Sequence, residues 1–195
     1  MILGKHIVRG GLVALALIFF AQPVAGQSSI QAFVTWKADS FVPADAAIKA
    51  IPTKGSQISA GVEALEAGRP IDLSKTEIRW YVNDRFLKSG IGMATITFPA
   101  EQLASRYDLR AVLKQVRGAD ISKTVQIPMT SPIVVIDGPY AYKIAPAELR
   151  LTARPYFFGV KTIDNFLVTW KVNGGTLPVV SDNPLVANLS LAGVV

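Results

Sequence analysis

Two stretches of the chain share an alternating pattern of apolar and polar positions around a tryptophan. In residues 76–84 an isoleucine stands two before Trp80 and a valine two after it, and the run ends at Asn-Asp. Residues 166–174 repeat this spacing around Trp170 and end at Asn-Gly. Alternation with a period of two is typical of a strand with one buried face, and both dipeptides favour a hairpin turn. About ninety residues separate the tryptophans, roughly the length of one sandwich domain, so the pattern predicts the same strand in two successive modules.

Similar alternation predicts further short strands along the chain. They cover residues 30–38, 93–98, 107–113, 122–128, 133–136, 148–158 and 185–191. Several short strands separated by turns, with few helical patterns between them, predict an all-β fold of antiparallel sandwiches.

Two regions depart from this alternation. In residues 46–74, Ile58, Val62 and Leu65 fit one face of a helix, so we expect a loop-rich stretch with a short strand or helix. Residues 99–105 are expected to form a crossing loop, with one helical turn at 101–103.

The layout of residues 76–127 resembles that of immunoglobulin-like and PKD-like domains. Trp80 lies in a central predicted strand, two hairpin-linked strands follow, and Tyr107 stands two residues before Leu109 in the penultimate strand. In those families the tryptophan packs in the core and a "tyrosine corner" residue bonds back to the chain. The cysteines of antibody domains are missing, and Leu109 occupies the position of the second one. The resemblance therefore implies a wholly apolar core between the sheets at this point.

This resemblance and the tryptophan repeat divide the chain into three parts. Residues 1–26 are a targeting segment, residues 27–130 a first immunoglobulin-like or PKD-like domain, and residues 131–195 a second. The sequence stops where the tyrosine-corner strand of the second domain and its return partner are expected. We therefore expect the second domain to be incomplete, either because the chain is a fragment of a longer protein or because a partner supplies the missing strands.

The N-terminal residues have the pattern of a secretory signal peptide. Lys5 and Arg9, without any acid, precede the apolar run 12–21, and small residues follow as far as Gly26. Cleavage after Gly26 is expected. An uncleaved signal anchor is the alternative, although Arg9 shortens the apolar stretch below the about 18 residues that a membrane span needs. We expect an exported protein at the cell surface, in the periplasm or outside the cell, that contacts the membrane only through this segment or a missing C-terminal anchor.

Composition excludes several classes of chemistry. The chain has no cysteine, and its one histidine, His6, lies in the predicted signal segment, so the exported part has neither imidazole nor thiolate. Zinc and copper sites and hydrolases with a histidine base depend on those groups. Removing residues 1–26 lowers the net charge from +6 to +4, and the basic residues are spread along the chain, which does not suggest nucleic acid. We expect neither catalysis nor a cofactor.

Aromatic residues near predicted turns are the candidate ligand patch, because flat rings can stack on sugars. They are Tyr140, Tyr142, Tyr156, Phe157 and Phe158. Trp80, Tyr107 and Trp170 are expected instead to be structural markers of the two cores.

Charged residues give two further candidate surfaces. Seven cations would line the solvent face of the first domain and could bind acidic envelope polymers, although such charges more commonly only blunt edge pairing; they are Lys75, Arg79, Arg85, Lys88, Arg110, Lys114 and Arg117. Five aspartates lie at turns, where some sandwiches bind calcium: Asp39, Asp45, Asp137, Asp164 and Asp182. No Asp-x-Asp-x-Asp-Gly loop is present, and turn aspartates more often bond to the local backbone.

Together these observations predict an exported or cell-surface scaffold or adhesion module without catalytic activity. Its partners would be other surface proteins or envelope polymers, contacted through loops and strand edges. Two alternatives remain open: a carbohydrate-binding accessory module of a larger surface enzyme, and a periplasmic assembly component that accepts a donated strand.

Overall fold

The structure is a computed structural model that describes residues 30–101, 105–139, 148–162, 164, 166–177 and 182–190. The described residues contain antiparallel strands, turns and loops and no α-helix, which confirms the predicted all-β fold. The signal segment, residues 1–26, lies outside the described residues, as does most of the predicted helical turn at 101–103.

Eight strands lie in residues 30–130, which we call the first module. They are β1 (Ile30–Ala38), β2 (Gln57–Glu66), β3 (Arg69–Pro70), β4 (Glu77–Val82), β5 (Arg85–Ile91), β6 (Thr95–Pro99), β7 (Arg106–Val116) and β8 (Ala119–Pro128). One sheet places β2 between β1 on one side and β6 with β3 on the other, and the second sheet has the order β5-β4-β7-β8. The chain forms β4 and β5 in the second sheet, crosses to β6 in the first, and returns for β7 and β8. This is an immunoglobulin-like sandwich of two facing antiparallel sheets.

The core of the first module lies between these two sheets. Ile78 and Trp80 in β4, and every second residue of β7 from Tyr107 to Leu113, are buried, because successive side chains point to opposite faces of a strand. The largest fully buried side chains include Trp80, Ile78, Leu109 and Leu113 in this sheet, and Ile58 in the facing sheet. The position that holds a cysteine in antibody domains is thus filled by leucine in an apolar core, as the resemblance implied.

Residues 46–74 contain loops, as expected, but they form no helix, and the strand within them is longer than the short one expected. These residues contain β2, a ten-residue strand whose burial alternates strictly over its first eight positions. Ile58 and Val62 face the core, whereas Leu65 lies on the opposite face, so the three do not share a side. The alternation was hidden because two of the buried positions are the small residues Ala60 and Ala64.

Five described strands lie in residues 133–190, which we call the second module. They are β9 (Ile133–Asp137), β10 (Glu148–Tyr156), β11 (Lys171–Val172), β12 (Gly175–Thr176) and β13 (Val186–Ser190). β10 is the centre of a three-stranded antiparallel sheet with the order β13-β10-β9, and β11 and β12 form a separate hairpin.

The expected equivalent of β4 around Trp170 forms only in part. Residues 166–170 are not in a strand, and the hairpin ladder is limited to Lys171 and Val172 opposite Thr176 and Gly175. Asn173 and Gly174 both have positive φ, as the predicted Asn-Gly turn requires. The turn signal was therefore correct, but a strand also needs a hydrogen-bonded neighbour, and no described strand pairs with residues 166–170.

Candidate functional site: the junction between the modules

The loop between β1 and β2, residues 39–56, forms the first module's side of a contact with the second module. Its ends are fixed locally, because Gln57 N–H donates to Asp39 Oδ1 at 2.6 Å and Ser40 Oγ donates to the carbonyl oxygen of Ile51 at 2.7 Å. Lys49 lies over the Trp36 ring, with Nζ 3.2 Å from the ring centroid, and partial burial lowers the pKa of this ammonium group. The loop is thus held against its own sheet.

This loop is joined to the second module by a pair of backbone hydrogen bonds. The N–H of Phe41 donates to the carbonyl oxygen of Phe158 at 2.7 Å, and the N–H of Phe157 donates to the carbonyl oxygen of Phe41 at 2.7 Å. Phe41 and Phe158 therefore form an antiparallel bridge between the modules. Phe157 has a φ of +61°, a left-handed conformation that turns the chain after β10.

Three phenylalanine rings pack around this bridge. The centroids of Phe41 and Phe166 lie 5.4 Å apart and those of Phe158 and Phe166 4.9 Å apart, both with perpendicular planes. Edge-to-face pairs of this kind are favourable because the positive edge of one ring meets the negative face of the other. We call Phe41, Phe158 and Phe166 the junction triad.

Arg154 of β10 adds an ionic contact beside the triad. Its Nη1 donates to Asp45 Oδ2 at 2.8 Å, and its Nε lies 2.7 Å from Asp137 Oδ2. Hydrogen bonds to Asp45 first, and to Tyr156 second, raise the pKa of the guanidinium. Asp45 lies in the first module and Asp137 in β9, so one cation joins three segments of the chain.

The backbones of the two modules also approach closely at Gly159. A Cβ atom added there would lie 3.3 Å from the carbonyl oxygen of Lys54. A side chain of ordinary size has little room at this point, so glycine permits the contact. The bridge, the triad, the ion pairs and this approach give the junction several independent contacts.

Part of the predicted aromatic ligand patch lies in this junction. Tyr140 and Tyr142 lie outside the described residues. Phe158 belongs to the junction triad, and Tyr156 and Phe157 are half-buried with ring centroids 6.1 Å apart and planes tilted by 48°. The rings are neither coplanar nor fully exposed, which is unlike a flat sugar platform.

The three expected core markers differ in their surroundings. Trp80 is 0 % exposed and Tyr107 is buried in β7. Trp170 is only half-buried, and its Nε1 donates to the carbonyl oxygen of Pro184 at 3.0 Å. It lines a cavity of about 260 Å³ with Val134, Ile136, Phe158 and Phe166.

The seven predicted surface cations do not form one unpaired basic face. Four of them make ion pairs: Arg79 with Glu77, Arg110 with Asp84, Lys114 with Asp120, and Arg117 with Glu66. Lys88 is the register partner of the buried Trp80, so it lies on the other face of the sheet from Arg79.

The turn aspartates give no metal cluster within the described residues, where no group of three or more His, Cys, Asp or Glu side chains is close enough to hold an ion. Asp39 bonds to the backbone, while Asp45 and Asp137 meet at Arg154. In the same residues no helix has the length and apolar character of a membrane span.

Sequence reasoning missed Phe41, Arg154 and Phe166 as contact residues. Phe41 contacts residues more than 100 positions away, Arg154 pairs with Asp45 of the first module, and no local pattern marks any of the three. The proximity of Phe158 to a predicted turn was the one signal that pointed to this region.

Comparison with known proteins gives one structural similarity. No protein-family model matches the chain, and no curated protein sequence matches it significantly. The chain is similar to a solved structure described as fibronectin(III)-like modules of Clostridium thermocellum CbhA, with 16% identity and a TM-score of 0.34 over 81% of this chain and 78% of that one. The sandwich fold of the first module rests on the strand order and registers above and not on this likeness.

Proposed function

We propose that this chain is an exported, non-catalytic scaffold module that holds contact surfaces at a fixed spacing for other surface proteins or envelope polymers. The observation that carries the proposal is the junction, where a backbone bridge and the junction triad join the two modules. A flexible linker would let the modules rotate freely. Contacts on several sides restrict that rotation, which is useful in a spacer.

A non-catalytic role also agrees with the residue types that the exported part lacks. Without histidine or cysteine it has few groups that titrate near neutral pH or bind transition metals. Export is supported by the basic and apolar pattern of residues 1–26. Fractionation of cells that express the tagged full chain tests this part: we expect the protein in the envelope or medium, and recovery from the cytoplasm would contradict it.

A direct test of the fixed spacing uses one spin label in each module. Because the chain has no cysteine, Lys123→Cys and Asn188→Cys can be labelled selectively, and both positions are exposed. Pulsed electron resonance should give one narrow distance distribution for the labelled chain. The further substitution Phe158→Ala should broaden it, since the triad loses the ring contact between Phe158 and Phe166.

The matched control is Phe86→Ala, which removes an exposed phenylalanine in β5, away from the junction. It should leave the distance distribution unchanged. A distribution that is already broad without Phe158→Ala would contradict the spacer proposal, whatever the cellular location of the protein.

The carbohydrate-binding alternative has less support. Phe158, one of the residues expected to bind sugar, packs against Phe166 in the junction triad. The tilt between the rings of Tyr156 and Phe157 does not suit stacking on one flat sugar surface. Glycan binding that is abolished by Tyr156→Ala in a folded protein would restore that alternative.

A further inference from the structure

Phe157, which directly follows β10, has a backbone conformation that bulky residues rarely adopt. Its φ of +61° is in the left-handed region, where the Cβ atom of an L-residue comes too close to the following carbonyl oxygen. Six other described residues apart from glycines also have a positive φ: Ala67, Asn83, Asp84, Gln115, Arg117 and Asn173. All six lie in or beside the turn of a hairpin, where the ladder between the adjoining strands holds the conformation. Phe157 lies in none of the described hairpins.

The residue that holds Phe157 in this conformation belongs to the other module. The N–H of Phe157 donates to the carbonyl oxygen of Phe41, and the N–H of Phe41 donates to the carbonyl oxygen of Phe158, both at 2.7 Å. Phe157 and Phe158 therefore oppose one residue, which is the arrangement of a β-bulge. In the type of bulge whose first residue is left-handed, that residue is normally glycine. Here it is a phenylalanine, so the bridge between the modules requires a strained backbone.

The strain at Phe157 and the bridge depend on each other. Rotation about the N–Cα bond of Phe157 moves the carbonyl group of Phe158 relative to the N–H of Phe157. At a negative φ the two groups no longer face Phe41 together. The bridge consequently needs the left-handed conformation, and Phe157 can return to an ordinary φ only when the bridge breaks. Relief of strain favours breaking, whereas the two hydrogen bonds and the junction triad oppose it.

The bridge can break without exposing the core of the first module. The buried apolar residues of that module form one cluster, and the cluster with the partly buried residues packed against it lies entirely within residues 30–129. No described residue of the second module belongs to it, and neither does Phe41, which is half-buried. The first sandwich therefore keeps its core when the junction opens.

Other described contacts at the junction are compatible with such an opening. The ion pair that crosses between the modules joins Arg154 to Asp45, and the Asp45 side chain is 64 % exposed, so water can replace the contact. The ring of Phe157 pairs with that of Tyr156 in the same module, with centroids 6.1 Å apart. This ring pairing does not depend on the bridge.

We propose that Phe157 is a strained hinge and that the junction has a closed and an open state. In the closed state the left-handed Phe157 holds the bridge to Phe41. In the open state the bridge is broken, Phe157 has a negative φ, and the first module stays folded. The inference rests on the proposed spacer function and adds the place where the spacing yields, because the junction opens locally before the first module unfolds.

Hydrogen exchange in the full chain tests the local opening. The amide protons of Phe41 and Phe157 form the bridge, whereas those of β7 lie in its ladders to β4 and β8. After correction for intrinsic rates, the two bridge amides should exchange at least about tenfold faster than the slowest amides of β7. Equal protection would show that the junction opens only when the first module unfolds, and would overturn the inference.

Two substitutions at the same position isolate the strain. Phe157→Ala and Phe157→Gly both remove the ring, but only Phe157→Gly removes the Cβ atom that disfavours the left-handed conformation. The amide proton of Phe41 should therefore exchange about 5- to 30-fold more slowly in Phe157→Gly than in Phe157→Ala. Equal rates, or slower exchange in Phe157→Ala, would overturn the inference.

The matched control is the same pair of substitutions at Asn83, whose φ is +49° in the turn between β4 and β5. Asn83→Gly should be more stable than Asn83→Ala in global unfolding, but exchange at Phe41 should be the same in both. A difference at Phe41 would mean that the glycine acts through the stability of the first module, which contradicts a local hinge.

Spin labels at Lys123→Cys and Asn188→Cys separate failure of the hinge from failure of the spacer function. A narrow distance distribution together with equal exchange in the two Phe157 variants would overturn the hinge alone. A broad distribution for the labelled chain without further substitution would overturn both, since the modules would then have no closed state to leave.

Discussion

The indole Nε1 of Trp80 donates a hydrogen bond to the carbonyl oxygen of Met93 at 3.0 Å. Trp80 is the largest fully buried side chain and lies in β4, whereas Met93 lies in the connection from β5 to β6, where the chain crosses between the sheets. The core of one sheet is thus tied directly to the crossing segment. Trp80 is held by its polar atom as well as by its apolar rings.

Two substitutions at Trp80 should separate these contributions. Trp80→Phe keeps most of the apolar contact but removes the hydrogen bond, so we expect a loss of about 1–3 kcal/mol in the free energy of unfolding. Trp80→Ala should cost about 3–5 kcal/mol because it also leaves a cavity. Urea unfolding of both variants measures the difference. Stability of Trp80→Phe equal to that of the natural protein would mean that the bond to Met93 contributes nothing.

Gly92 should be far less tolerant of alanine than another glycine with similar backbone geometry. Gly92 has a φ of +67°, and a Cβ there would lie 2.8 Å from the carbonyl oxygen of Ser74, so strain and a backbone clash add together. We expect Gly92→Ala to cost about 2–4 kcal/mol.

Gly118→Ala is the control, since its φ is +87° but nothing lies within 4 Å of the added atom. It should cost only about 1–2 kcal/mol, the penalty for the left-handed conformation. Equal losses in the two variants, measured by thermal unfolding, would show that the segment at Ser74 moves without cost.

Protonation of Asp120 in acid should lower the stability of the first module. A hydrogen bond from Lys114 first, and one from the backbone of Gln115 second, lower the pKa of this carboxyl group. A lowered pKa in the folded state means that the stabilisation is complete above the ordinary carboxyl pKa, near pH 4, and is lost as the pH falls through the folded value.

Asp120→Asn should therefore reduce the decrease in melting temperature between about pH 5 and pH 2.5. Glu63→Gln is a suitable control, because Glu63 makes no ion pair with the residues that the structure describes. A pH profile of Asp120→Asn that matches the natural protein would show that this contact does not affect folding.

The parts of the fold that could be predicted were those with large side chains at alternate positions. Ile78 and Trp80 in β4 marked their strand clearly, because burial of every second residue leaves a period of two in the sequence. The sequence predicted only a short strand or helix in place of β2, because Ala60 and Ala64 are as buried as its larger residues, yet alanine gives little contrast with polar neighbours.

Prediction also failed where structure depends on distant partners. The run around Trp170 has the pattern of a strand, but a strand exists only with a hydrogen-bonded neighbour, which a local pattern does not supply. The bridge between Phe41 and Phe158 joins two turns far apart in the sequence, and nothing near either residue specifies the other.

At the junction we expect aromatic packing to contribute more than the ion pairs. The side chains of Arg154, Asp45 and Asp137 are 35, 64 and 58 % exposed, so water and salt screen their charges. Arg154→Met keeps most of the apolar stem of the side chain and should lower the stability less than Phe158→Ala does, and 0.5 M NaCl should remove most of the difference between Arg154→Met and the natural protein. Phe158→Ala should cost about 2–4 kcal/mol in the free energy of unfolding with no dependence on salt, because it removes a ring that contacts Phe166.

Denaturant unfolding at two salt concentrations measures both effects, with Asp45→Asn as the control for the ionic contact. If Arg154→Met cost more than Phe158→Ala, the charges and not the rings would hold the modules together.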